Sequence, residues 1–264
     1  MTTSNPFALT NKAALITGGG RGIGAGIARA YAEAGAAVAL VSRTKEQVEE
    51  VAAAINASGG RALAVPADLT DFAALPGLIE RVVDELGGLD SVVNCAGGGD
   101  MWKALLDERP DELESAFHFN VAAPFELVRL AVPHLLERPG ASVLNIISSA
   151  IELQTRGHLS YDASKGALFY ATRSMAASLG PRIRVNGIHP GIIHTEAMEA
   201  VLSSHQGVLE SLTARVRMRR LGTPADIGRP AVFLASEAAS YITGVVLEVT
   251  GGTVGEMNQM FPDL

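Results

Sequence analysis

Seven short runs rich in Val, Ile, Leu and Ala, at residues 13–17, 37–41, 62–65, 91–94, 142–147, 183–188 and 245–249, constrain this chain more than any other feature. They are nearly continuous in apolar character instead of alternating, which is the pattern of strands covered on both faces. Amphipathic stretches such as 25–34, 45–57 and 72–86 lie among the first five runs. Strand, helix, strand in this rhythm calls for right-handed crossovers. The expectation is an α/β fold: a doubly wound, seven-stranded parallel sheet flanked by helices.

Longer helices are expected at about 111–137 and 161–179. Pro124 and Pro133 fall inside the first, and each removes a backbone donor and should bend it. Thr223-Pro224-Ala225-Asp226 has the form of an N-cap with proline at the first helical position, opening a helix that runs to about Ser236. The segment 192–220 shows only weak helical patterning. No repeat and no Pro/Ser-rich linker divides the chain, so residues 1–264 read as one domain.

Composition narrows the function classes. With 264 residues, 48% of them hydrophobic, one domain can bury most of its chain surface. A net charge of −7 argues against nucleic-acid binding. Cys95 is the single cysteine, which excludes an intrachain disulfide and fits a reducing cytoplasm. Residues 1–11 lack the pattern of a signal peptide, and no run reaches the roughly 18 apolar residues of a membrane helix. A cytoplasmic protein with no membrane or nucleic-acid partner is expected, and no metal ligands.

The first apolar run ends in Thr17-Gly18-Gly19-Gly20-Arg21-Gly22-Ile23-Gly24 and passes into a helix. Glycines there permit a tight turn and close approach of a pyrophosphate to the helix N-terminus. An acidic residue after the second strand would bind the ribose hydroxyls of NAD; this chain has Ser42-Arg43 instead. Arg21 and Arg43 could converge on a 2′-phosphate, so NADP(H) is preferred and NAD(H) remains possible. Arg43 could equally be a solvated helix-start residue. Asp68 and Leu69 could hold the adenine edge, or Asp68 could cap the next helix. Asn94, Ala96 and Gly97 bring small residues beside a ligand after the fourth strand, where Cys95 reads better as a buried hydrophobe than as a nucleophile.

Tyr161 and Lys165 are four residues apart, hence on one helix face. The ammonium, with the charge of an oxidised nicotinamide, is expected to lower the tyrosine pKa. Ser148, at the end of the fifth run, can bond the substrate oxygen. Asn120 is a poor helix-interior residue, explained either by a kink near Pro124 or by a water-mediated proton path to Lys165.

These motifs, in this order, resemble the short-chain dehydrogenase/reductase family along nearly the whole chain. The resemblance rests on Thr17 to Gly24, Asn94 to Gly97, Asn120, Ser148, Tyr161 to Lys165, Pro190-Gly191 through Thr195, and Tyr241-Ile242-Thr243-Gly244 leading to Gly251-Gly252. It implies a Rossmann fold and an Asn120, Ser148, Tyr161 and Lys165 tetrad. It also implies that Pro190 and Gly191 border the cofactor, with the Ile193 backbone and the Thr195 hydroxyl orienting the nicotinamide carboxamide. A homotetramer, built as a dimer of dimers, follows by the same resemblance. Two positions depart from the family: Cys95 stands where Asn is usual, and Thr250 where Asp is usual.

The expected activity is hydride transfer between NADP(H) and a ketone or secondary alcohol, with a small-molecule carbonyl or alcohol as substrate. Trp102, Ile151, Leu153, Met198, Val201 and Leu202 could wall an apolar pocket for a hydroxysteroid or similar ketone, or could be packing residues. The basic run Arg215, Arg217, Arg219 and Arg220 could be a solvated or inter-subunit surface, or could meet an acidic carrier in a 3-oxoacyl-carrier reductase. A non-catalytic dinucleotide sensor is the reading from another class; the presence of all four tetrad residues weighs against it.

Overall fold

The computed structural model describes residues 5–99, 102–153, 156–204 and 207–253. Seven strands form one sheet in the order β3-β2-β1-β4-β5-β6-β7. They are β1 (Ala13–Thr17), β2 (Ala37–Ser42), β3 (Arg61–Pro66), β4 (Ser91–Asn94), β5 (Ser142–Ile146), β6 (Arg184–Pro190) and β7 (Val246–Val249). Every neighbouring pair is parallel. The order reverses between β1 and β4, which opens a crevice at the carboxyl ends of those strands.

Alternate strand residues enter opposite cores, because successive side chains leave opposite faces of a strand. Ala13, Leu15, Val92 and Val143 face α3 (Leu75–Leu86), α5 (Ala123–Leu136) and the C-terminal half of α7 (Leu159–Leu179). Ala14, Ile16, Val93 and Leu144 face α1 (Gly22–Glu33), α2 (Lys45–Ala57) and α10 (Pro224–Ala235). This double burial explains the near-continuous apolar runs. Thr223 caps α10 as expected: its N–H and hydroxyl donate to Asp226 Oδ2 at 2.8 and 2.9 Å.

The expected helix at 111–137 is three pieces. α4 (Pro110–Phe117) runs into a wider π-type turn over His118–Ala122, and α5 follows. Pro124 therefore lies in the first turn of α5, where a missing donor is tolerated. Of these two prolines, Pro133 is the one that falls in the interior of α5. The weakly patterned segment holds α8 (Glu196–Ser204) and α9 (Val208–Arg215), while a short α6 (Ala150–Leu153) follows β5.

One polar thread crosses the core. The Asn94 amide donates to Asn145 Oδ1 at 2.8 Å, and the Asn145 amide donates to Thr172 Oγ1 at 2.9 Å. The Thr172 hydroxyl closes onto the Leu168 carbonyl at 2.7 Å. All three residues are buried, so β4, β5 and α7 are joined by side-chain hydrogen bonds shielded from water.

Candidate active site

The glycine-rich turn is shaped by steric necessity. Gly18 has φ +67°, and a Cβ there would lie 3.0 Å from Ala96 N. A Cβ at Gly24 would fall 2.2 Å from the Gly18 carbonyl oxygen. Thr17 locks the turn to the next loop, its hydroxyl accepting the N–H groups of Cys95 and Ala96 at 2.9 and 3.0 Å. The α1 N-terminus, a natural anion seat, is engaged by a carboxylate: Gly22 N–H donates to Glu196 Oε2 at 3.1 Å.

A cleft of about 1000 Å³ extends from this turn to the tyrosine helix. Gly20, Arg21, Gly22, Ile23 and Gly24 line it, with Ser42 and Arg43 from the end of β2, and Asp68 and Leu69 after β3. Asp68 does not cap α3, which begins at Leu75. Its carboxylate instead accepts the Thr70 N–H and hydroxyl at 2.9 and 2.7 Å. Those bonds, with the nearby Arg43 charge, hold its pKa below the usual carboxylate value. Ala96, Gly97, Pro190, Gly191 and Thr195 complete the expected lining.

Two expected cofactor residues sit behind the wall. The Asn94 side chain is spent on Asn145 and is absent from the lining, with its Oδ1 buried and unpartnered. Ile193 is buried and bridged to Gly222, flanked by the Gly222 N–H to Ile192 carbonyl and His194 N–H to Gly222 carbonyl bonds. The Thr195 hydroxyl accepts the Met198 N–H at 3.3 Å in the first turn of α8.

At the far end stand Ser148, Tyr161 and Lys165. Lys165 is 3% exposed, donates to the Ile146 carbonyl at 2.9 Å, and places Nζ 5.9 Å from the Tyr161 ring centroid. Burial pulls its pKa down to about 8. The Tyr161 phenol is set by opposing effects in the protein alone, without the nicotinamide charge. Burial pushes its pKa above the ordinary value; the Ser148 hydrogen bond opposes this, and Asp162 and Cys95 add to the rise. Desolvation of the phenolate outweighs its stabilisation within the protein itself. Cys95 lines the cleft, but burial lifts its thiol to about 12, which suits a packing residue and not a nucleophile.

Asn120 lies at the centre of the π-type turn and is fully buried. Its side chain accepts the Gly98 N–H at 3.0 Å and donates to the Gly98 carbonyl at 2.7 Å and to Ser164 Oγ at 3.0 Å. It thus clamps the loop after β4 onto α7. The helix irregularity foreseen from an interior Asn is real, and its form is a π turn, a feature common at functional sites.

The apolar wall expected for substrate is mostly packing. Met198 and Leu202 lie against the buried cluster Ile192, Leu212, Val216 and Leu221. Trp102 meets the buried His158 ring edge-on at 4.5 Å between centroids. Ile151 and Leu153 are half-buried outside the lining, and the Val201 side chain lies outside the described residues. A wall not foreseen is polar: Lys103, Glu108, Arg109, Asp111, Glu112 and Ser115. Lys103 pairs with Glu112, Arg109 with Asp111 at 2.7 Å, and Glu108 accepts the Ser160 N–H at 3.0 Å. Arg109-Pro110-Asp111-Glu112 carries a helix-start signature that could have placed this wall.

A family model described as Enoyl-(Acyl carrier protein) reductase matches residues 18–254. An uncharacterized oxidoreductase of Mycobacterium tuberculosis (strain CDC 1551 / Oshkosh) is 44% identical over 260 residues, covering 98% of each chain. A solved 7 alpha-hydroxysteroid dehydrogenase, complexed with NADH and 7-oxo glycochenodeoxycholic acid, superposes with TM-score 0.91 at 37% identity over 98% of this chain and 100% of that one. The chain belongs to the short-chain dehydrogenase/reductase family. A solved short-chain dehydrogenase of Burkholderia cenocepacia J2315, in complex with NADP, gives TM-score 0.84 at 33% identity, covering 94% and 99% of the two chains. As a short-chain dehydrogenase/reductase, the protein is an NAD(P)-dependent oxidoreductase acting on CH–OH groups, and its Rossmann-type sheet is the family's.

Proposed function

We propose that this short-chain dehydrogenase/reductase interconverts a ketone and a secondary alcohol with NADP(H), and that Tyr161 is its acid and base. The observation that carries the reading is one cleft with the glycine turn at one end and Ser148, Tyr161 and Lys165 at the other. The glycine cradle, closed to any Cβ at Gly18 and Gly24, fits a dinucleotide pyrophosphate. Bound there, the nicotinamide would supply or accept the hydride. Ser148 holds the substrate oxygen, Tyr161 exchanges a proton with it, and Lys165 supports that exchange electrostatically. Asn120 positions the loop and helix that bring these groups together.

Arg21 and Arg43, both exposed at the rim, support preference for the 2′-phosphate of NADP(H), with NAD(H) as the weaker cofactor. The likeness to a hydroxysteroid dehydrogenase supports a bulky apolar ketone as substrate. A 3-oxoacyl-carrier substrate is the second reading; the description of the matched family model shares with it the acyl carrier, though not the 3-oxo group. Large exposed apolar side chains on α5 and α7, Phe125 at 51% and Tyr170 at 70%, support burial between subunits in a homotetramer. No described helix is long and apolar enough to cross a membrane. A cytoplasmic location rests on the lone cysteine.

The decisive experiment is an NADPH-oxidation screen over ketosteroids, acetoacetyl thioesters, quinones and simple ketones, with Tyr161→Phe as control. Turnover of a ketosteroid that is lost in the variant supports the proposal. Turnover confined to thioesters selects the second reading, and no Tyr161-dependent turnover of any carbonyl would return the sensor reading.

A further inference from the structure

Outside the cleft, three side chains with metal-binding chemistry converge. His189 and Glu248 are paired residues of β6 and β7, so they leave the same face of the sheet side by side. The Ser149 N–H donates to the Pro190 carbonyl at 3.0 Å, drawing α6 over the end of β6 and bringing Glu152 to the same place. A ring nitrogen of His189 and a carboxylate oxygen from each glutamate lie within 4.8 Å of one another. This is the one such group among the described residues.

The histidine gives the cluster a meaning that acidic residues alone would lack. His189 is 1% exposed, and its Nε2 is buried without a hydrogen-bond partner. A buried polar atom left unpaired costs stability unless a ligand or ion satisfies the group. Nothing in the hydride-transfer mechanism uses this side chain. Two carboxylates held close also repel each other, a cost that a shared cation removes.

We propose that Glu152, His189 and Glu248 bind one divalent transition-metal cation, with zinc the best match. One imidazole nitrogen and two carboxylate oxygens are a ligand set that zinc accepts with a fourth position left to water. Calcium and magnesium prefer all-oxygen shells and fit less well. Zinc bonds of about 2.0–2.2 Å require the three atoms to close to about 3.4 Å of one another. Both glutamates are exposed on rotatable side chains and can make that movement. Burial lowers the His189 pKa, against the pull of Glu152 and Glu248, which favours the neutral ring that ligates metal.

The three ligands come from α6, β6 and β7. The cation would therefore clip together the segment after Ser148 and the strand that ends in Pro190, both of which border the cleft. Its role is to hold the scaffold, with no part in hydride transfer.

The test is calorimetric titration of chelator-treated full-length protein with zinc chloride, with magnesium and calcium chlorides as controls. Expected is one zinc per subunit, little heat from the other two, and affinity weakened about tenfold or more in Glu152→Gln and in Glu248→Gln. Both substitutions are isosteric and lie at exposed positions, so the variants should fold. Melting without metal checks this, and each variant should then be at least as stable as the native protein because a like-charge pair has been relieved. With zinc, the native protein should gain melting temperature and the double variant should not. Absence of stoichiometric binding, or equal affinity in native protein and both variants, would overturn the proposal. Failure here leaves the Tyr161 reading untouched, since neither glutamate nor His189 contacts the reacting groups.

Discussion

Gly97 clears the space that Lys165 occupies: a Cβ at Gly97 would lie 2.7 Å from Lys165 Nζ and 3.0 Å from Asn120 Oδ1. One missing methyl group thus lets a cation and its positioning amide meet beside the cleft. Gly97→Ala should displace the ammonium and lower kcat by about tenfold to hundredfold, with a smaller effect on folding. Steady-state kinetics together with a thermal melt would separate the two, and unchanged kcat would show that the lysine has slack.

Tyr161→Phe removes the proposed proton donor and keeps the ring. Turnover should fall below about 1% of native, while the dissociation constant for the dinucleotide stays within several-fold. Fluorescence titration and an NADPH-oxidation assay read the two quantities independently.

Lys165 carries a pH prediction. Its folded pKa is about 8, below the ordinary lysine value of 10.5, so the unfolded chain holds the proton more tightly. The resulting destabilisation is complete below about pH 8, shrinks as pH rises, and is gone above the unfolded value. Lys165→Met should therefore stabilise the protein at pH 7 by up to about 3 kcal/mol, and by progressively less toward pH 10, while losing activity. Urea melts at both pH values check the sign, and a gain that did not shrink with pH would point to packing instead.

Arg43→Ala should raise the KM for NADPH by about tenfold or more and leave that for NADH nearly unchanged, because a charge-assisted bond to the 2′-phosphate is worth about 1.5–3 kcal/mol. Equal changes for both cofactors would place Arg43 outside that contact.

Glu196 occupies the Gly22 N–H at the start of α1, where the proposed pyrophosphate seat lies. Neutralising it with Glu196→Gln should tighten dinucleotide binding about two- to fivefold, the scale of a charge at a helix terminus. Weaker binding in the variant would mean that the carboxylate assists the cofactor by another contact.

Much of the scaffold is legible because strands buried on both faces must be apolar throughout, and Ala14 with Leu15 or Val92 with Val93 show that pattern. The glycine turn and the Tyr161/Lys165 spacing are legible because their geometry is local. The π turn at Asn120 is not, since apolar positions continue across α4 and α5 without a break. Met198 and Leu202 look like pocket residues because the α8–α9 segment, with its own small core, uses the same side chains as a binding site. Desolvation, which raises the Tyr161 pKa in the protein alone, is not visible in a count of nearby charges. Glu152, His189 and Glu248 share no spacing at all; only the β6/β7 register and the Ser149 bond bring them together.

The thread from Asn94 through Asn145 to Thr172 works as an index. Sliding α7 along the sheet by one turn would break the Asn145-to-Thr172 bond and leave a buried amide donor unpaired, which disfavours any other setting of the helix. Because Tyr161 and Lys165 ride on that helix while β4 leads into a loop that lines the same cleft, the span between the proposed proton donor and the glycine turn depends on that hydrogen bond in the core. Conservative-looking changes there, such as Asn145→Leu, would then act on catalysis from a distance, loosening the gauge without touching the cleft.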